Sequence, residues 1–267
     1  MSIKRTEDVN LKQKEFYETK KKNLATKIWS YFRNGILNQT RKSLGVERQI
    51  LDLHTSWLGD LSDKKVLDLG CYAGNSLSFY LAKNSKEYIA IDLSEVGINR
   101  LSERLKDLRT AKAYTVDFLS SEFKENNFDI IYAYGVLHHF KNVNQLIERL
   151  QDKLNEDGKI ISYDPLETSI PIKIIRSLYR PFQSDKEWEW PFTKKVYFKF
   201  ENAFEILERR AILGKSKWFF LLNLLPYTAD KKISISKEWH IEDWEKSQYS
   251  NSHMFSCMHL TILMKKK

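Results

Sequence analysis

The residues best suited to chemistry in this chain stand at a fixed spacing. The run Val66-Leu67-Asp68-Leu69-Gly70-Cys71-Tyr72-Ala73-Gly74-Asn75-Ser76 reads as a short buried strand, a tight glycine turn and the start of a helix. Asp92 follows Gly70 by 22 positions and ends a second strand-like run, Tyr88-Ile-Ala-Ile-Asp92. Strand, turn, helix and spaced acid are the layout of a βαβ unit that binds an adenosine-type cofactor. Gly70 and Gly74 allow a sharp turn and a close backbone approach to a ligand. A carboxylate at the tip of the second strand can accept hydrogen bonds from both ribose hydroxyls. Tyr72 argues against a dinucleotide, because a glycine is needed there for a pyrophosphate to sit against the backbone and the helix N-terminus.

S-adenosylmethionine carries a ribose, a sulfonium and an amino acid tail, but no phosphate. The segment resembles motif I of the class I (Rossmann-like) SAM-dependent methyltransferases, Asp-x-Gly-x-Gly-x-Gly. Asp68, Gly70 and Gly74 match it, and Tyr72 departs at the middle glycine. The resemblance implies S-adenosylmethionine as cofactor, with S-adenosylhomocysteine as product. It places Asp68, Gly70, Cys71, Tyr72, Gly74, Asp92, Leu93, Asp117, Phe118 and Tyr134 around the cofactor. Asp117-Phe118 resembles the adenine-holding position; an N-cap aspartate on a loop is the other reading.

The segment Phe128-Asp-Ile-Ile-Tyr-Ala-Tyr-Gly-Val-Leu-His138-His139-Phe140 resembles motif IV of small-molecule members of the same family. It lacks the Asn-Pro-Pro-Tyr of amino-methylating DNA enzymes. It also lacks the acid and histidine ligands of metal-dependent catechol enzymes, so no metal is expected. A histidine here could take a proton from an acceptor hydroxyl, its ordinary pKa being near 6.5, or could be structural. Adjacent histidines on an extended chain point apart, and His139 is favoured over His138. Asp164-Pro165-Leu166-Glu167, followed by Ile174 to Arg180, resembles the segment after the fifth strand in UbiE-like methyltransferases.

These residues need a sheet to position them. Strands are expected near 65–70, 87–92, 112–116, 128–134 and 158–164, with helices at 75–83, 95–108 and 143–153. Such alternation means a parallel sheet covered on both faces. A helix is expected at 193–202, a strand at 204–210, and Met258–Met264 as the last strand. The fold class is α/β: a seven-stranded, mostly parallel Rossmann-like sheet with helices on both faces. Residues 1–60 form an N-terminal helical lid, and 61–267 the catalytic domain. Residues 165–192, holding four of the five prolines and the run Glu187-Trp-Glu-Trp-Pro-Phe192, form an insertion after the fifth strand. Family position implies that lid and insertion cover the substrate, with Tyr17, Tyr31, Glu167, Trp188, Trp190 and His240 as substrate-contacting candidates.

The 267 residues suffice for one large α/β domain or one domain with an appendage. No apolar run is long enough to cross a membrane, and the start lacks the apolar core of a secretory signal. The two cysteines, Cys71 and Cys257, suggest neither a disulfide framework nor a metal site, so a reducing cytoplasm is the expected location. The net charge is +9, and residues 1–50 hold twelve Lys or Arg against five acids. That front end could meet nucleic acid, anionic lipid or an anionic substrate, or be a solvated helical face. The apolar run Trp218–Pro226 could touch a lipid surface, although a helix buried against the sheet is the favoured reading. The functional expectation is methyl transfer to a hydroxyl or similar nucleophile of a small molecule. The alternatives are an RNA methyltransferase using the basic N-terminus and a catalytically silent, methyltransferase-like binding subunit.

Overall fold

The computed structural model describes residues 24, 27, 30, 31 and 35, residues 41–182 and residues 188–267. Tyr17, and with it most of the expected N-terminal lid, lies outside the described residues. Seven strands form one sheet: β1 (Lys65–Leu69), β2 (Glu87–Asp92), β3 (Ala111–Thr115), β4 (Phe128–Tyr134), β5 (Leu154–Pro165), β6 (Phe204–Ile212) and β7 (His259–Lys266). Their spatial order is β3-β2-β1-β4-β5-β7-β6. The first five are mutually parallel, and β7 runs antiparallel between β5 and β6. The order reverses between β1 and β4, which opens a crevice beyond their carboxyl ends.

The strands alternate strictly between two cores. Leu67, Leu69, Ile89, Ile91, Ile131 and Ala133 face one side. Val66, Tyr88, Ala90, Ile130 and Tyr132 face the other. A period of two with both faces apolar is what a central parallel sheet requires. Each fully buried Leu or Ile of these strands contributes roughly 1.5–3 kcal/mol through water exclusion. At the sheet edge, β3 leaves Lys112 and Tyr114 exposed. β5 begins at Leu154, earlier than expected, because Phe128 pairs with Leu154 and the register then jumps to Ile130 opposite Lys159.

The helices are α1 (Val46–Leu58), α2 (Ser76–Asn84), α3 (Glu95–Leu105), α4 (Val143–Lys153), α5 (Ile170–Tyr179), α6 (Lys194–Ala203), α7 (Ala229–Tyr249) and α8 (Asn251–Met254). Caps set their starts. Asn75 and Ser78 form a capping box for α2, Ser94 accepts from Gly97 N to start α3, and Asn142 accepts from Gln145 N to start α4. α1 belongs to the body of the fold: Val46 and Ile50 pack with Tyr163, Ile212 and Leu213, while Trp57 and Leu58 join the core beneath β1.

The run at 218–226 departs from the favoured expectation of a buried helix. Ser216–Leu224 is a 3-10 helix in which Leu222 is buried while Phe220, Leu221 and Leu224 are exposed. A pitch of three residues per turn turns only a narrow ridge inward. No helix among the described residues is long and apolar enough to cross a membrane.

Candidate active site at the carboxyl rim of the sheet

The glycine turn after β1 is held from within. Gly70 N and Cys71 N both donate to Ile91 O, at 2.8 and 3.2 Å, and Gly74 N donates to Cys71 O at 2.8 Å. Tyr72 N donates to Asp92 Oδ2 at 2.9 Å and Asn75 N to Ser78 Oγ at 3.1 Å. These five amides are therefore consumed by the protein itself, where a pyrophosphate would need them as donors. Gly70 adopts φ 69°, and a Cβ there would strike the side chain of Val136 from the turn after β4. The close approach that requires this glycine is thus made by Val136, a neighbour rather than a ligand. At Gly74, too, the neighbours are side chains, those of Leu101 and Phe79.

Tyr72 sits in the left-handed region, φ 47°, which is strained for a residue with a side chain. Its ring lies over α3 at Gly97, where a Cβ would come 2.7 Å from Tyr72 Cδ2 and 3.0 Å from its carbonyl carbon. The departure at the middle glycine is thereby absorbed by an absence of side chain on the facing helix.

Asp92 ends β2 with both carboxylate oxygens in use, Oδ2 with Tyr72 N and Oδ1 with Ser94 N at 2.8 Å. Burial raises its pKa, and the Ser94 and Tyr72 amides oppose that shift. Leu93 is half-buried beside it. Asp68 lies deeper than a ligand contact would require. Its carboxylate is buried and accepts from the Tyr88 hydroxyl at 2.7 Å, with desolvation pushing its pKa up to about 6. It braces β1 against β2 from beneath the turn. Cys71 is half-buried, and burial drives its thiol well above the usual range.

Beyond β3, Asp117 Oδ1 accepts from Leu119 N at 2.9 Å, the loop-capping role that the sequence left open. Phe118 is not placed to cover an adenine: its ring is buried in the core against Phe123 and Phe140. Tyr134, at the end of β4, stacks on Tyr163 of β5 at 4.8 Å, and Tyr163 stacks on His259 of β7 at 5.3 Å. Arg41 closes this ladder with a hydrogen bond to His259. Tyr163, His259 and Arg41 were not singled out from the sequence. The apolar character of β5 and β7 hid the fact that both place a ring at the same level of the rim.

The two histidines occupy a 3-10 turn, Leu137–His139, after β4. His138 is buried, and its backbone N and ring Nδ1 both bond Asp164 Oδ1, at 3.1 and 2.9 Å. Burial pushes His138 down to about 3 and Asp164 up to about 7, so near neutrality the histidine is uncharged. His139 is half-buried, and its Nδ1–H donates to Trp188 O at 2.7 Å. Because a carbonyl oxygen can only accept, Nδ1 carries a proton in this contact. Trp190 N donates to His138 O at 2.8 Å, so the insertion clamps the histidine turn through its backbone. The Trp188 ring is itself buried, and Trp190 is half-buried with Lys141 over its face.

The remaining candidates are structural in their contacts. Glu167 pairs with Arg176 at 3.3 Å and Arg180 at 3.5 Å, tethering the C-terminal end of α5 to the segment that precedes the helix. His240 is buried, and its Nε2 bonds Gln49 Oε1 at 2.6 Å, joining α7 to α1. Tyr31 is exposed. Among the described residues, Asp243, His253 and Cys257 bring ligand-type atoms within 4.8 Å of one another. Asp243 is already saturated by Gly214 N, Lys215 N, Ser216 N, Ser216 Oγ and His253 Nε2, so the cluster anchors the loop after β6.

Residues 67–160 match the family model described as a methyltransferase domain. The chain's 3-2-1-4-5-7-6 strand order with its antiparallel β7 is the class I, Rossmann-like fold, and the matched residues span β1 to β5 of it. Its fold is similar to that of the N-methyltransferase NodS from Bradyrhizobium japonicum WM9 in complex with S-adenosyl-L-homocysteine. That likeness has a TM-score of 0.52 and 16% identity, over 82% of this chain and 86% of that one. In sequence it is 32% identical over 114 residues to an uncharacterized protein of Haemophilus influenzae, covering 40% of this chain and 44% of that protein. It is also 32% identical over 103 residues to phosphoethanolamine N-methyltransferase 3 of Arabidopsis thaliana, covering 38% of this chain and 21% of that protein. The chain thus spans less than half the length of these curated relatives.

Proposed function

We propose that this protein is an S-adenosylmethionine-dependent methyltransferase acting on a hydroxyl or similar nucleophile of a small molecule. The observation that carries the reading is the glycine turn, whose amides are spent inside the protein while an acid stands at the tip of β2. Such a site suits a cofactor with a ribose and no phosphate. Gly135, at the end of β4, adds a fit: a Cβ there would meet nothing within 4 Å, so the rim is open beside the switch point. Asp92 is assigned to the ribose, Leu93 and Asp117 to the adenine side, and Tyr134 to the opposite wall. When bound, S-adenosylmethionine supplies an electrophilic methyl group.

The chain's own residues would do the rest. Arg41 and α1 pack at the rim against His259 and Tyr163, Trp188 and Trp190 reach the histidine turn from the insertion, and a cover built from these segments would exclude water. His139 Nε2 would take the proton leaving an acceptor hydroxyl, while His138 and Asp164 hold the turn beneath it. Phosphoethanolamine, named for the Arabidopsis relative, supports a small polar acceptor as the first to try. The UbiE-like grouping rests on Asp164–Glu167 and the segment after it.

Calorimetric titration with S-adenosylmethionine and S-adenosylhomocysteine tests the cofactor. Both should bind, and Asp92→Ala should weaken them by on the order of 2–4 kcal/mol, the cost of losing charge-assisted hydrogen bonds. Equal affinity of wild type and variant would remove the ribose assignment. Tight binding without transfer of a labelled methyl group to any small-molecule pool would favour the silent binding subunit.

A further inference from the structure

Arg41 brings to the rim a positive charge that the protein does not neutralise. It is half-buried, its guanidinium donates to His259 Nε2, and its Nε is buried without a hydrogen-bond partner. Among the described residues no carboxylate forms an ion pair with it. Glu47, on the first turn of α1, is exposed. A guanidinium offers five N–H donors and cannot shed its proton, so drawing it out of water without an anion is costly. An oxyanion completes such a group, because its two oxygens match the fork of donors.

The stacked rings show where that anion belongs. Tyr134 and Tyr163 face each other in register across β4 and β5, and His259 stands opposite Pro165, the last residue of β5. The stack therefore climbs outward from the crevice beside β4 to Arg41, over two strand spacings or about 10 Å. Both phenols stand in the field of Arg41. Desolvation raises the pKa of each, that of Tyr163 to about 12; Arg41 opposes the rise and Glu47 adds to it. Both hydroxyls thus stay protonated, and neither is bonded to a protein group among the described residues. S-adenosylmethionine also carries a carboxylate, but Arg41 meets the sheet at β7, four strands along from Asp92 on β2. The free charge therefore lies on the acceptor's side of the rim.

We infer that Arg41, with the Tyr134 and Tyr163 hydroxyls leading to it, forms a subsite for an oxyanion of the methyl acceptor, a phosphate monoester or a carboxylate several bonds away from the atom that receives the methyl group. The inference rests on the methyltransferase reading for the place of the acceptor, so its test uses neither turnover nor an acceptor. The melting temperature of the full chain is followed against inorganic phosphate and against acetate, each replacing chloride at constant ionic strength. At least one should give a saturable rise, and the one that does identifies the anion. Arg41→Gln should raise the apparent dissociation constant by about tenfold or more. Tyr163→Phe keeps the ring stack, removes only the hydroxyl, and should raise it by about threefold or more. Both variants should retain wild-type calorimetric affinity for S-adenosylhomocysteine. The subsite is overturned if wild type responds to neither anion, or if the rise is equal in all three proteins, as a general salting effect would be. It is also overturned if Arg41→Gln loses S-adenosylhomocysteine affinity as steeply as anion affinity, for Arg41 would then hold the cofactor's carboxylate. Should wild type bind no S-adenosylhomocysteine, the methyltransferase reading falls and the acceptor role of the subsite falls with it, whatever the anion titration shows.

Discussion

His138 and His139 are neighbours whose rings lie 4.1 Å apart, yet burial gives them different chemistry. His138 is enclosed, paired through Nδ1 with Asp164 and lowered to about 3, so it is a poor proton acceptor at neutral pH. His139 is half-buried, and its Nδ1 is bonded to the Trp188 carbonyl. If His139 is the acceptor, His139→Ala should lower turnover by about 100-fold or more with S-adenosylmethionine affinity nearly intact. Single-turnover kinetics with a small acceptor would measure it; near-normal turnover would leave catalysis to positioning alone. The sequence showed two histidines at a strand end but not which was buried. That depends on Asp164, 26 residues beyond His138 and brought beside it only by the parallel pairing of β4 with β5.

Among the elements, the βαβ unit was the most legible, because its strands are continuous apolar runs and its turn contains glycines. What could not be read was how Tyr72 fits. The answer lies on α3, where Gly97 leaves room for the ring. Gly97→Ala should therefore destabilise the protein by about 1–3 kcal/mol, an overpacking cost, although alanine is the better helix former. Tyr72→Gly in the same chain should restore most of the loss. Urea denaturation of the four variants in the cycle would check this, and purely additive effects would refute the contact. α7 was hidden for a different reason. Its buried positions are Ser236, His240, Asp243 and Ser247, a stripe at helical spacing made of polar side chains. Asp243 binds the loop 214–216, and Ser247 Oγ accepts from Ala211 N of β6. A search for apolar periodicity passes over such a helix, because hydrogen bonds rather than water exclusion fasten it.

For the molecule as a whole, the buried Asp164 carboxyl links stability to pH. Its pKa rises from 3.8 in the unfolded chain to about 7 in the fold, chiefly through desolvation. A carboxyl raised in this way takes up a proton on folding. Its contribution is therefore most favourable below about pH 4, declines as pH climbs to about 7, and is constant above that. Asp164→Asn keeps an acceptor for His138 and removes the titration. The melting temperature of the variant relative to wild type should rise by several degrees between those limits and then level off; a difference independent of pH would mean that Asp164 is charged throughout. The sheet carries a further consequence, for its birth on the ribosome. β7 is translated after β5 and β6 yet lies between them, and among the described residues β6 has β7 as its only neighbour in the sheet. Until residues 259–266 emerge, the nascent chain holds β5 with one open edge and β6 with no partner. That interval is when chaperone capture matters most, because unpaired strand edges are the sites of misassociation.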